Sequence, residues 1–314
     1  MPRTRTTDDM FDRAARFLWL TGRVLEQRRF AALFAGHSPH GVRQALAAYR
    51  TPDGGYAYGL EPDIRGPEPQ PATLRAALPV LDEAGALDRA TTAPLLDWLR
   101  TVTAPDGGLP VTLPTLRPYP RPPWLLVPDG HTEPTGELLA TGPVVATLLK
   151  NDVTHPWVER AIAFCRDAVT RLETTHPYEA EAAVAFLDHA PDRDWAADAA
   201  RRLGRLVREQ RLVLLDPRRA DEVPVAPGYA PGEHHFPHDY APTPHSLARQ
   251  WFDDTELNRS LDHLAALQRP DGGWPVRWAH WAPTTESESR PLVTLQALRI
   301  LTAWDTAAGI LRTP

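Results

Sequence analysis

The chain has 314 residues, of which 42% are hydrophobic, and ten tryptophans add to the apolar side chains available for a packed core. A formal charge of −6 and the absence of a basic run argue against nucleic acid as a partner. Cys165 is the single cysteine, which excludes an internal disulfide and favours a reducing compartment. With no secretion-signal pattern and no apolar stretch long enough to cross a bilayer, the sequence predicts a cytoplasmic protein.

Apolar residues at helical spacing dominate the sequence, and no segment alternates convincingly as a strand does. The spacing predicts a first helical region over 11–34 and an all-α fold. Helices then follow in pairs. The predicted pairs are 39–50 with 70–84, 88–102 with 137–150, 156–172 with 178–189, 194–212 with 243–252, and 254–268 with 291–307.

A Pro-Asp-Gly-Gly turn occurs three times, each time at the end of a predicted helix. Proline ends the helix, aspartate caps the turn, and glycine supplies the positive φ that a chain reversal needs. The distance along the chain from Asp106 to Asp271 is about three times that from Asp53 to Asp106. A regular repeat would therefore have two further turns in between, and we expect degenerate ones at 174–177 and 216–217. The three full turns lie at 52–55, 105–108 and 270–273.

This repeat predicts five helical hairpins that stack side by side, because one hairpin cannot bury its apolar face alone. We expect a single domain over 1–314, with residues 1–10 flexible. No polar capping repeat is apparent, so a closed ring, completed by the first and last helices, is favoured over an open superhelix.

The third turn carries a fuller motif, Gln268-Arg269-Pro270-Asp271-Gly272-Gly273-Trp274, preceded by Leu264. It resembles the glutamine–tryptophan repeat of squalene-hopene cyclases and the wider terpenoid cyclase/prenyltransferase α/α-toroid superfamily. The motif covers the last repeat, whereas the spacing covers most of the chain. The resemblance implies an α/α toroid of about five to six hairpins, in which the start of each inner helix faces a central cavity.

The catalytic signatures of that superfamily are missing. The Asp-Xaa-Asp-Asp tetrad of squalene cyclases is absent, since Asp192-Arg193-Asp194-Trp195 matches its first half alone. Cys165 lacks the Asp-Xaa-Cys context of zinc-dependent prenyltransferases, and no Gly-Cys-Gly-Glu-Gln segment of a thioester domain is present. The resemblance therefore predicts the architecture more specifically than the activity.

Acidic residues stand before the predicted inner helices, where the resemblance places the mouth of the cavity. A carboxylic acid among aromatic rings and other carboxylates has a raised pKa and can protonate an alkene. We therefore predict a terpenoid-cyclase-like enzyme, an isomerase or lyase, with acid-initiated (class II type) chemistry on an isoprenoid or other apolar substrate. Capping of the helix dipole is the alternative role of each acid. The candidate acids are Asp63, Glu68, Asp239 and Glu288.

Aromatic and polar side chains near the same segments are predicted to bind the substrate, the tryptophans by placing ring faces against a carbocation. Structural packing is the alternative for the motif residue Trp274. The candidates are Glu61, Arg65, Trp124, His176, Tyr178, His235, His238, Trp274, Trp278, Trp281 and Arg290.

No cofactor is expected, although His234, His238 and Asp239 offer donors for a transition metal as an alternative. A second enzyme class is a toroid glycosidase or lyase acting on a sugar, with Tyr178 as base and Arg65 or Arg290 as carboxylate clamp. A third alternative is a toroid that binds a ligand without catalysis. The expected partner is a small apolar substrate, and the proline-rich segment 118–128 is either a peripheral membrane contact or a loop packed on the core.

Overall fold

The computed structural model describes residues 5–308, and every regular element among them is helical, which confirms the all-α prediction. Short 3₁₀ turns accompany the α-helices. The α-helices are α1 Asp8–Thr21, α2 Val24–Phe34, α3 His40–Ala47, α4 Leu74–Glu83, α5 Arg89–Val102, α6 Leu138–Lys150, α7 Pro156–Arg171, α8 Pro177–His189, α9 Arg193–Glu209, α10 Pro237–Tyr240, α11 Asp254–Ala266 and α12 Thr285–Ala307.

The chain divides into two compact units, and the boundary passes through α8 and α9. We call residues 5–36, 174–184 and 200–308 the terminal unit, and residues 37–173 and 185–199 the central unit. The prediction of a single domain over 1–314 stays a prediction. Within the described range, no helix is both long and apolar enough to cross a membrane.

In the terminal unit, α12 packs against α1, α2 and α11. Their shared core contains Phe17, Leu18 and Leu298. Trp274, which directly follows the last Pro-Asp-Gly-Gly turn, belongs to the same core. In the central unit, α6 packs against α4 and α7, α3 lies on α4, and α5 lies on α7. Each unit thus buries the apolar faces that the helical spacing of its sequence creates.

Two predicted helices differ from the structure. The region 11–34 divides into α1 and α2 because Gly22 takes an extended conformation, with φ of −73° and ψ of 146°, and ends the first helix. The helix predicted over 243–252 is wrong. Its place is taken by a 3₁₀ turn at Leu247–Trp251, since Pro242 and Pro244 interrupt the segment before that turn.

The predicted flexible segment 1–10 is tied down over its described part. Asp305, which is fully buried, accepts hydrogen bonds from the backbone N–H of Arg5 (3.0 Å) and of Thr6 (2.8 Å). Thr7 then caps α1 by accepting from the N–H of Met10 at 3.1 Å. Residues 1–4 lie outside the described residues.

The three Pro-Asp-Gly-Gly turns share one geometry. In each, the first glycine has a positive φ (97°, 93° and 95°), and the residue two before the aspartate closes the turn by donating its N–H to the second glycine's carbonyl at 2.9 Å. The aspartate accepts the N–H of that second glycine at 3.0–3.2 Å. The repeat that the sequence predicted is therefore confirmed at these positions, which are Gly54, Gly107 and Gly272 for the first glycine.

After two of these turns, the next backbone N–H along the chain donates to a threonine hydroxyl on the following helix. Leu109 donates its N–H to the Thr141 hydroxyl at 2.8 Å, and Trp274 donates its N–H to the Thr294 hydroxyl at 3.0 Å. The turn and the next helix are thereby fixed together.

Candidate functional site

The start of α8, in the terminal unit, places the predicted residue Tyr178 and the acid Glu181 on one helix face. The predicted residue His176 lies directly before the helix. Pro177 is the first residue of α8, a position that favours proline because its missing N–H needs no partner there. Tyr178 and Glu181 follow three residues apart, so their side chains project from the same face.

The loop at 229–240 packs its polar side chains onto that face. The Tyr178 hydroxyl donates to Glu233 Oε1 at 2.8 Å, and its ring stacks on Tyr229, with centroids 5.3 Å apart. His176 Nδ1 lies 3.0 Å from the Tyr229 hydroxyl. Burial raises the pKa of Tyr178 well above its ordinary value, and the carboxylates of Glu233 and Glu181 raise it further, so the phenol stays protonated at neutral pH.

His235 is the most distinctive member of this cluster. It is 4% exposed, its Nε2 lies 3.1 Å from Glu181 Oε1, and the Tyr178 ring meets it edge-on at a centroid distance of 4.6 Å. An ionised carboxylate only accepts hydrogen bonds, so in a neutral His235 the proton sits on Nε2 and Nδ1 carries a lone pair. Nδ1 is buried and has no hydrogen-bond partner among the described residues. The ring is therefore oriented by Glu181, and its second nitrogen has no partner among the described residues.

Asp239 lies in the same loop, but its environment differs from the one expected of an acid catalyst. Arg277 donates to both carboxylate oxygens, at 2.9 and 2.6 Å, and to the carbonyl oxygen of His234 at 2.9 Å. The backbone N–H of Phe236 also donates to Asp239 Oδ2 at 2.8 Å, so the carboxylate accepts three hydrogen bonds in all. Burial by itself raises the pKa of Asp239, but the Arg277 charge and these hydrogen bonds outweigh it and hold the pKa well below its usual range.

The raised pKa predicted for Asp239 is thus wrong in direction. A carboxylate held ionised by a guanidinium is a poor proton donor at neutral pH. Its structural effect is to fix the bend of the chain between His234 and Asp239.

His238 is fully enclosed beside that ion pair. Its Nδ1 lies 2.6 Å from the Ser260 hydroxyl, which also accepts the backbone N–H of His238 at 3.1 Å, and its ring stacks on Phe236. Burial lowers the pKa of His238 to about 4, although the Asp239 carboxylate 3.6 Å away opposes the shift. The imidazole is therefore neutral at pH 7 and joins α11 to the loop.

The metal alternative at His234, His238 and Asp239 finds no matching arrangement. Nδ1 of His238 is engaged by Ser260, and both oxygens of Asp239 are engaged by Arg277. Across residues 5–308, no group of three or more histidine, cysteine, aspartate or glutamate side chains is placed to hold a metal ion.

The remaining candidates of the terminal unit lie around the last turn. Arg290 donates to both oxygens of Asp271 at 2.7 Å and covers the ring of Phe17, so the structure engages it in the turn. Trp274 is 1% exposed and donates its indole N–H to the carbonyl oxygen of Leu264 at 2.7 Å, which is a packing position.

Trp278 and Trp281 are half-buried in the irregular segment after the turn, and the indole Nε1 of Trp278 is buried without a partner among the described residues. Glu288 is half-buried in the first turn of α12. These three side chains keep their predicted roles as predictions.

Five candidates belong to the central unit. Glu61, Asp63 and Arg65 are half-buried in the loop between α3 and α4, and Glu68 is exposed there. Trp124 is 46% exposed in the proline-rich loop before α6.

Sequence reasoning missed Glu181, Glu233, Ser260 and Arg277. Two of them had a usable signal: Glu181 lies one helical turn after Tyr178, and Glu233 directly precedes the two histidines His234 and His235. Arg277 had none, because the ion pair it forms with Asp239 joins segments whose proximity only the folded chain creates.

No protein-family model and no curated protein sequence matches this chain.

Proposed function

We propose that the protein is an α/α-toroid enzyme that carries out general acid–base chemistry on a polar, sugar-like substrate, with His235 as base and Tyr178 as acid. The observation that carries the proposal is the buried His235 ring, oriented through Nε2 by Glu181 while its Nδ1 has no partner among the described residues. A carboxylate that fixes one nitrogen of a histidine leaves the other as a directed base.

The chemistry of the surrounding side chains favours a polar substrate over an isoprenoid. Tyr178 is bonded to Glu233 and His235 to Glu181, and an apolar ligand beside His235 Nδ1 would leave that buried nitrogen without a partner. A substrate with hydroxyl and carboxylate groups would give it one instead. This supports the lyase-type alternative for the site.

The proposed reaction is a β-elimination on a uronic-acid unit. His235 Nδ1 removes the proton next to the substrate carboxylate, the bond to the neighbouring glycosidic oxygen breaks, and a carbon–carbon double bond forms. Tyr178 transfers the hydroxyl proton that it donates to Glu233 in this structure to the departing oxygen. Arg290, the predicted carboxylate clamp, is bound to Asp271, and Arg277, which lies in the cluster itself, is bound to Asp239 in the same way.

Proton abstraction is testable before the natural substrate is known. The full chain is incubated in heavy water with a panel of uronate oligosaccharides, and mass spectrometry follows deuterium exchange into unreacted substrate while ultraviolet absorbance follows the unsaturated product. We expect unsaturated product with the native chain, and a loss of its rate on the order of a hundredfold or more in His235→Ala and Tyr178→Phe, as for general acid–base groups. Tyr58→Phe, which alters an exposed tyrosine, is the matched control.

The second candidate is the terpenoid-cyclase-like enzyme with acid-initiated chemistry. It is favoured by the last turn, where Gln268 donates to the carbonyl oxygens of Met10 and Gly272 and Trp274 donates to Leu264, as a working glutamine–tryptophan repeat requires. The packing of α1 against α12 supports the ring closure that a toroid needs. Turnover of a polyene that is lost in Glu288→Gln or Glu68→Gln, but kept in His235→Ala, would favour this candidate over the lyase.

A further inference from the structure

A cavity of the terminal unit lies between the end of α9 and the 3₁₀ turn Pro217–Glu222, with a volume of about 260 Å³. Its floor is apolar, and it includes Val213 and Leu214, which are 6% and 2% exposed, together with Val223. Its rim is formed by charged side chains. Those used below are Arg208, Arg211, Asp216, Arg219 and Glu222.

Most of the rim charges are already compensated. Arg208 is paired with Glu256, and Arg219 is paired with Glu222. Asp216 is paired with Arg218, which lies outside the cavity lining.

Arg211 is the exception at this rim. Its guanidinium donates at 2.9 Å to the backbone carbonyl oxygen of Glu222, and it forms no ion pair with any described residue. The Arg211 charge also acts on the Glu222 carboxylate, which Arg219 already pairs, so the cavity combines an apolar floor with one positive charge in excess at its edge.

The backbone of Arg211 is held in a costly conformation. It follows the last turn of α9 with a φ of 54°, and Leu212 donates its N–H back to Val207 at 2.9 Å, the pattern that closes a helix with a left-handed residue. Glycine is the residue that takes this position without strain. An arginine here places a guanidinium at the cavity rim at the expense of backbone strain, and such strain is typical of functional positions.

We propose that this cavity binds a small amphipathic monoanion, with its carboxylate on Arg211 and its hydrocarbon part against Val213 and Val223. A guanidinium recognises a carboxylate through paired N–H donors, and the apolar floor gains from covering by a short chain. The volume lies just below the range of about 300–1,000 Å³ for small-molecule sites, which suits a short-chain carboxylic acid. The site is additional to the acid–base cluster and does not depend on the function proposed for it.

Octanoate and its uncharged analogue octanamide test the proposal as a matched pair of probes. Calorimetric titration of the full chain is expected to give saturable octanoate binding, and isotope-labelled methyl groups of Val213 and Val223 are expected to shift with it. Arg211→Gln should weaken octanoate binding on the order of tenfold or more, since it removes a charge-assisted hydrogen bond, and leave octanamide unaffected. Arg211→Lys keeps the charge and should retain part of the affinity.

Arg205→Gln is the control, because it removes an exposed arginine of α9 that does not line the cavity. Equal affinity for the two probes, unchanged octanoate binding in Arg211→Gln, or no saturable octanoate binding would each overturn the proposal. None of these substitutions alters a residue of the His235 cluster, so the outcome is separate from that of the experiment in heavy water.

Discussion

The last Pro-Asp-Gly-Gly turn and the His235 cluster are both rich in polar and ionisable side chains, yet they use them differently. At the turn, Asp271 and Arg290 satisfy each other, and the Trp274 indole is satisfied by a backbone carbonyl. In the cluster, Glu181 satisfies one nitrogen of His235, and the other nitrogen is buried without a partner in the described part of the chain. A group whose hydrogen bonds are made has a structural role, whereas a buried atom without a partner is a reason to look for a ligand, and the turn has one such atom as well, Gln268 Oε1.

The largest expected effect tests the structural side of this comparison. Trp274→Ala empties a core position and removes an indole hydrogen bond, so the free energy of unfolding should fall by about 3–5 kcal/mol in chemical denaturation. Trp124→Ala, at a side chain that is 46% exposed, should change it by less than about 0.5 kcal/mol. Similar losses in both variants would remove the distinction between packing and exposed tryptophans.

The pH dependence of the free energy of unfolding tests the other region of this comparison, the loop that carries the His235 cluster. Because burial lowers the folded pKa of His238 to about 4 from 6.5, the unfolded chain binds this proton more readily than the native one. The stability contribution is complete above pH 6.5 and falls by about 3 kcal/mol as the pH drops toward 4.

His238→Asn keeps an acceptor for Ser260 but no titrating ring, so denaturation curves across this pH range should lose most of their slope. His234 and His263, whose pKa values burial also lowers, leave a smaller slope of the same sign. A variant with the full slope of the native chain would contradict the assignment to His238.

Two glycines separate backbone conformation from close packing at the turn. A Cβ at Gly272 would lie 2.0 Å from the carbonyl oxygen of Arg13, whereas a Cβ at Gly228 would meet nothing within 4 Å, and both residues have a positive φ. Gly272→Ala should therefore cost about 2 kcal/mol or more, and Gly228→Ala about 1 kcal/mol, by thermal or chemical unfolding. Equal losses of unfolding free energy in the two variants would show that α1 shifts easily to make room for the added methyl group at the turn.

The smallest expected effect concerns Arg211 and has the opposite sign. Arg211→Gly relieves the positive φ and should raise the free energy of unfolding by about 0.5–1 kcal/mol. The same variant should lose affinity for octanoate. A destabilised variant would mean that the arginine holds the end of α9 through contacts other than the hydrogen bond to Glu222.

The sequence by itself determined the local features of this protein. Apolar spacing gave the helices, and proline, aspartate and paired glycines gave the three turns, because the backbone preferences of these residues act over a few positions. The helix predicted over 243–252 was wrong where Pro242 and Pro244 should have counted more than the apolar pattern.

Only the tertiary structure decided what each ionisable group does. Asp239 and Asp271 look alike as sequence, and both prove to be held ionised by an arginine that comes from elsewhere in the chain, Arg277 and Arg290 respectively. His235 differs from His238 through its partners, Glu181 for one and Ser260 for the other. A pKa and a free lone pair depend on burial and on neighbours distant in sequence, so residue type and spacing alone do not fix them.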